Sequence, residues 1–208
     1  MTDSANFTAG AAMATTRIAN KEAGKAELRS LVLAKRQQLD EQSTGKSDAR
    51  IGDRILSYGQ YGKARMVLCY ASTPGEVATD GIILNALASG KRVCLPRCEN
   101  QGIMHAYEIH SLSDLVEGRY GIREPNRHCK LISPRELDLV IAPCVSCTKR
   151  GDRLGYGGGY YDRYLTLSDC PVCVLCREAL ILDHIPASTH DVVMDAVITE
   201  TGITYAAD

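Results

Sequence analysis

Short runs of consecutive apolar residues constrain this chain most: 66–70 (Met-Val-Leu-Cys-Tyr), 137–142, 172–176 and 196–199. A strand with one wet face alternates apolar and polar side chains, whereas these runs do not alternate, so each reads as a strand buried on both faces. A further strand is expected at 92–95 and an edge-like one at 103–109. Between them lie segments with helical character. Leu28, Leu31, Val32 and Leu39 form one stripe of an amphipathic helix over 21–39, a second helix runs near 48–58, and others cover 80–88 and 160–167. Strand, helix and strand over 66–95 make a βαβ unit, hence a parallel pair. The expected class is α/β, a single domain over 21–208 with a largely parallel sheet and helices on both faces. Residues 1–20 carry only Asp3 and Arg17 as charges and read as a disordered tail; Met13 is an alternative start.

The 208-residue chain is long enough to bury about 70% of the surface its unfolded form exposes. Its formal net charge of −1 gives no basic field for non-specific nucleic-acid binding. No run approaches the roughly 20 apolar residues of a membrane span, and the N-terminal stretch lacks the basic and apolar regions of a signal peptide. A soluble, cytoplasmic protein acting on small molecules is expected, with no nucleic-acid or membrane partner.

Nine cysteines in a chain without a secretory signal point to reduced thiols. Cys144-x-x-Cys147 and Cys170-x-x-Cys173-x-x-Cys176 imitate metal-ligand spacing. The second set fails on geometry, because residues three apart on a strand point to opposite faces, so Cys170, Cys173 and Cys176 cannot converge on one ion. They read as small core hydrophobes. Cys144 and Cys147 fall on an expected loop, where both readings stay open.

The segment Arg153-Leu154-Gly155-Tyr156-Gly157-Gly158-Gly159-Tyr160-Tyr161-Asp162-Arg163-Tyr164 carries the chemistry. Four glycines within five positions let the backbone approach a ligand and turn N–H groups toward phosphate oxygens. Arg153 can bind phosphate bidentately, Asp162 can hold a hard cation through oxygen, and the tyrosines can flank a flat ring. The tyrosines also start the expected helix, whose N-terminus attracts anions; the plainer reading is a flexible turn. Neither the Walker lysine-plus-hydroxyl pair nor an intact G-x-G-x-x-G follows.

In an open α/β sheet ligands sit beyond the carboxyl ends of the strands, which brings the turn Ser72–Val77 and the loop 144–159 to one crevice. Glu76 can therefore face the glycine loop, although a lone glutamate in a turn is usually solvated. Lys25 and Arg29 stand four apart on the first helix, able to grip an oligophosphate or simply to meet solvent. Asp191 and Asp195 share a face by the same spacing and are candidates for a magnesium site, a helix cap or a solvent-facing edge.

Taken in order, Lys25-x-x-x-Arg29, Glu76 in its turn, Leu95-Pro-Arg97, Gly121-Ile-Arg-Glu-Pro125, Asp138-Leu-Val-Ile-Ala-Pro143, Arg153 to Leu165 and Asp191 to Glu200 resemble the 5-formyltetrahydrofolate cyclo-ligase family. The resemblance implies a Rossmann-like fold and ATP-dependent formation of 5,10-methenyltetrahydrofolate, with ADP and phosphate released. It implies that Lys25, Arg29 and Arg153 to Tyr161 hold ATP, that Asp162 and Asp191 hold Mg2+, and that Glu76 and Tyr156 to Tyr160 meet the folate. No covalent enzyme intermediate is expected. In one place the chain departs from the family. After Pro143 the family continues with glycine, a small or apolar pair, then Phe-Asp, where this chain has Cys144-Val145-Ser146-Cys147-Thr148. The departure makes room for one competing reading, a non-catalytic folate or nucleotide binder; a second is a metal-thiolate protein using Cys144 and Cys147 with cysteines from the later strand.

Overall fold

The computed structural model describes residues 24–118 and 121–206; the expected tail at 1–20 lies outside them. Helix α1 covers residues 24–37. Asp40 caps α2 (Glu41–Ser57), its carboxylate accepting the Ser43 N–H at 2.8 Å, and a short α3 (Gly59–Lys63) follows. Strand β1 (Met66–Leu68), helix α4 (Asp80–Ala88) and strand β2 (Arg92–Cys98) make the βαβ unit, with β1 and β2 paired in parallel from Met66 opposite Arg92.

Next come β3 (Met104–Ile109), a hairpin of β4 (Leu115–Glu117) and β5 (Arg123–Pro125), β6 (Lys130–Ile132) and β7 (Leu139–Ala142). A small ribbon of β8 (Ser146–Cys147) and β9 (Arg153–Leu154) leads to α5 (Tyr160–Leu165), β10 (Val172–Leu175), β11 (Ala196–Ile198) and β12 (Ile203–Tyr205). The eight-stranded sheet has the order β12-β11-β10-β7-β1-β2-β3-β6. Its central strands β11, β10, β7, β1 and β2 run parallel, while β12, β3 and β6 are antiparallel additions. The α/β class with a mostly parallel sheet is therefore observed.

Side-chain alternation divides the core between the two faces. Met66, Leu68, Val140, Ala142, Val172 and Val174 face one layer with α1 and α5; Val67, Leu139, Ile141, Cys173 and Leu175 face the other with α2 and α4. Ile51 and Ile55 of α2 are fully buried in that second layer, each contributing about 1.5 to 3 kcal/mol of transfer free energy. Cys173 thus lies on the opposite face from Cys176, as strand geometry demands. Asp138 pins the register of β1 beside β7, its Oδ2 accepting the N–H groups of Arg65 and Met66 at 2.8 Å each.

Four details differ from the expectation. Strand β3 is not an edge, because β6 pairs with its outer side. Strand β12 closes the other end, its three residues too few to show a period in sequence. Leu31 is 61% exposed. The inward stripe of α1 holds Lys25, Leu28, Arg29, Val32, Leu33 and Arg36 instead, so cations take part in the buried face. Helix α5 ends at Leu165, only six residues long, so its dipole contributes less to anion binding than a long helix would.

Candidate active site

Strand order reverses at β1: its chain successor β2 lies on one side and β7 on the other, which makes their carboxyl ends the switch point of the sheet. A cleft of about 1190 Å3 opens there. That exceeds the 300 to 1,000 Å3 of common single-ligand sites. Tyr70, Ala71, Thr73 and Glu76 enter from the end of β1, Pro143 from β7, and 188–192 from the segment before β11. The cleft brings together all but one of the sequence-derived candidates: Lys25, Arg29, Glu76, Arg153 through Asp162, and Asp191. Asp195 is separate. Its Oδ2 accepts the Val172 N–H at 2.7 Å, so it serves the register of β10 and does not join a magnesium site.

Two carboxylate–cation pairs line this cleft. Lys25, 5% exposed, donates to both oxygens of Asp191 at 2.6 and 2.8 Å and to Ser188 Oγ at 2.9 Å. Partial burial of Asp191 favours its neutral form, but the Lys25 ammonium and the Ser188 N–H outweigh this and hold its pKa below the usual carboxylate range. In the second pair Arg153 Nη2 meets Asp162 Oδ1 at 2.8 Å, and Nη1 donates to the Pro143 carbonyl at 3.2 Å. Arg153 Nε and Tyr161 Oη are buried with no hydrogen-bond partner in the protein. Burial pushes the Tyr161 hydroxyl well up, so it stays a neutral donor. Two unsatisfied polar groups beside a cleft are costly unless a ligand meets them.

The loop itself is held from below. Arg29 Nε donates to Gly155 O at 2.8 Å, and Arg163 Nη2 donates to Gly158 O. Gly157 and Gly159 have φ of 96° and 65°, the left-handed region where a side chain strains the backbone. Gly158 is not in that region; a Cβ there would instead come within 2.8 Å of the Tyr160 ring. Above the loop, Tyr156 Oη donates to Glu76 Oε1 at 2.7 Å and accepts from Arg36 Nη1 at 2.9 Å. Glu76 Oε2 accepts from the N–H and hydroxyl of Thr73 at 2.7 and 2.9 Å. The Glu76 turn is fixed from behind by Arg177, which donates to the carbonyls of Gly75 and Glu76 and pairs with Asp48 at 2.7 Å.

The sequence model of the 5-formyltetrahydrofolate cyclo-ligase family matches residues 21–200. The chain belongs to that family. A probable 5-formyltetrahydrofolate cyclo-ligase of Caenorhabditis elegans is 30% identical over 191 residues, covering 85% of this chain and 92% of that one. The 5-formyltetrahydrofolate cyclo-ligase of Escherichia coli K12 is 28% identical over 180 residues, with 83% and 98% covered. Among solved structures, the 5,10-methenyltetrahydrofolate synthetase of Aquifex aeolicus superposes with a TM-score of 0.79 at 28% identity, covering 88% of this chain and 93% of its own.

As a cyclo-ligase site, the cleft has oxygen donors suited to a hard cation. Asp162 and Asp191 are carboxylates lining one cleft, and neither stands in a cluster of three metal-capable side chains among the described residues. Magnesium fits such a sparse set, since it commonly takes one or two carboxylates and completes its shell with phosphate and water. Sequence reasoning missed Arg36 and Arg177. Arg36 was within reach: it lies seven residues after Arg29, on the same helical face. Arg177 acts through carbonyl contacts to Gly75 and Glu76, more than 100 residues away, that no local spacing encodes.

Proposed function

We propose that this cleft carries out its family's reaction, the ATP-dependent cyclisation of 5-formyltetrahydrofolate to 5,10-methenyltetrahydrofolate, with the triphosphate on the glycine loop and the folate toward Glu76. The observation that carries the reading is the pairing of Lys25 with Asp191 and Arg153 with Asp162 in the cleft that this loop lines. Each pair stores a cation for phosphate beside an anion for magnesium. On nucleotide binding Lys25, Arg29 and Arg153 turn to phosphate oxygens, and Asp162 and Asp191 become available to Mg2+, which when bound neutralises phosphate charge. The orphaned Arg153 Nε and Tyr161 Oη supply two further donors.

The formyl oxygen on N5 attacks the γ-phosphorus, ADP leaves, and an iminium phosphate forms. N10 then adds to the formyl carbon and gives up its proton to solvent, the ring closes, and phosphate departs. The protein contributes position and preorganised charge, and no side chain is needed as nucleophile. Glu76, with both oxygens engaged, is ordered to meet a polar edge of the pterin, and Tyr156 covers it. A non-catalytic binder is not favoured, since the altered segment 144–148 leaves every cleft residue in place; nor is a metal-thiolate protein in place of an enzyme.

Incubation with 5-formyltetrahydrofolate and magnesium ATP, followed by absorbance of the conjugated methenyl product, tests the reaction. Folded protein that gives no product would refute it. Asp162→Asn should raise the Mg2+ concentration for half-maximal rate, and an unchanged requirement would remove Asp162 from the metal site.

A further inference from the structure

The segment 144–148 that departs from the family is not a loose loop. It folds into β8 and packs Cys144 and Cys147 into the α1-side core, where Cys176, just past β10, comes to meet them. Cys144, Cys147 and Cys176 are 6%, 0% and 2% exposed, and their Sγ atoms all lie within 4.8 Å of one another. No cysteine among the described residues is in a disulfide. Strand alternation forbids Cys170, Cys173 and Cys176 from converging, but it leaves Cys176 open to partners from another strand.

Around a tetrahedral zinc with Zn–S bonds of about 2.3 Å, sulfur atoms stand about 3.8 Å apart. The trio's separations, none above 4.8 Å, are compatible with that geometry. Beside Cys144 and Cys176 is a small pocket of about 10 Å3, room for about one water-sized ligand. Arg36 lines the same pocket, and its Nε is buried without a hydrogen-bond partner. Three thiolates on a divalent ion leave one net negative charge in the core, which the Arg36 guanidinium offsets.

We propose that Cys144, Cys147 and Cys176 form a buried zinc site separate from the magnesium of the cleft, with three thiolate ligands, water as the fourth, and Arg36 as charge partner. Binding forms three Zn–S bonds and releases the three thiol protons to solvent. Magnesium is excluded by the softness of the donors. The site lies one residue beyond Pro143, whose carbonyl holds Arg153, so the ion braces the strand end behind the glycine loop.

The test uses the full chain, reduced and stripped of metal with a chelator, then titrated with Co2+ as a spectroscopic probe. One equivalent should give the near-ultraviolet thiolate-to-cobalt charge-transfer band, with visible bands of a tetrahedral ion, and one equivalent of Zn2+ should abolish both. Cys176→Ser should weaken cobalt binding by about 100-fold or more, while Cys173→Ser, three residues earlier in β10 and on the opposite face of the sheet, should bind as the parent does. If Cys176→Ser does not fold, the parent titration still decides. Absence of the charge-transfer band in reduced parent protein, or its full persistence in a folded Cys176→Ser variant, overturns the proposal.

Discussion

Replacing Gly157 by alanine isolates what the glycine loop does. Gly157 has φ of 96°, and a Cβ there would lie 3.4 Å from Arg29 Cζ, a contact a small shift of Arg29 can absorb. The cost is therefore backbone strain, about 1 to 3 kcal/mol for a non-glycine residue held in this region. Because the loop is exposed, the ligand-free protein relaxes to a neighbouring conformation and loses little stability. The nucleotide must then restore the strained form, and a penalty of about 1.4 kcal/mol weakens its binding about tenfold. Thermal unfolding measures this directly. A ligand at a hundredfold excess over its Kd stabilises by about 2.7 kcal/mol, and tenfold weaker binding leaves about 1.4 kcal/mol. Gly157→Ala should show an almost unchanged melting temperature without ligand and roughly half the stabilisation by magnesium ATP. Gly158→Ala provides the contrast: its φ is ordinary, and the 2.8 Å approach to the Tyr160 ring is relieved by moving a side chain. Full stabilisation of Gly157→Ala by magnesium ATP would refute a phosphate role for this backbone.

Lys25→Ala and Arg29→Ala should each raise the KM for ATP more than the KM for the folate, and equal rises would show that these cations do not discriminate between the substrates. Glu76→Gln should raise the folate KM with little change for ATP, and Tyr156→Phe, which removes the hydroxyl bridging Glu76 and Arg36, should do the same to a smaller extent; steady-state kinetics on both substrates separates the outcomes. The lowered pKa of Asp191 sets a pH dependence of stability. A depressed carboxylate contributes fully above its unfolded value of about 3.9 and loses that contribution as pH falls through the folded value, so the stability gap between the parent and Asp191→Asn should be flat above about pH 5 and close in more acid solution. A gap that widens on acidification would mean that Lys25 does not stabilise the Asp191 carboxylate.

Local pattern made much of this protein legible. Unbroken apolar runs such as Leu139–Ala142 can be satisfied only by covering both strand faces, so the α/β class and the switch-point crevice followed from burial alone. The glycine and tyrosine stretch declared the cleft because conformational freedom, donors and a carboxylate were adjacent in the chain. Alternation also kept Cys173 and Cys176 apart, since a period of two is a property of the strand itself. What pattern could not give were contacts between distant segments. Leu31 fits the apolar period of α1 as well as Leu28 does, yet the packing turns Lys25, Arg29 and Arg36 inward, because Asp191, Gly155 and Tyr156 wait there with acceptors from more than 100 residues away. Asp191 and Asp195 share a spacing rule, but one faces Lys25 across the cleft and the other clasps the start of β10. Cys144 and Cys147 were visible as a pair, whereas their third partner was fixed only when β7 and β10 aligned in register. Sequence determined the elements and the chemistry each could carry, because propensity, periodicity and donor type act over a few residues. Tertiary structure alone decided which charges met, because burial makes an unpaired ion costly and so selects the long-range partner that local sequence cannot name.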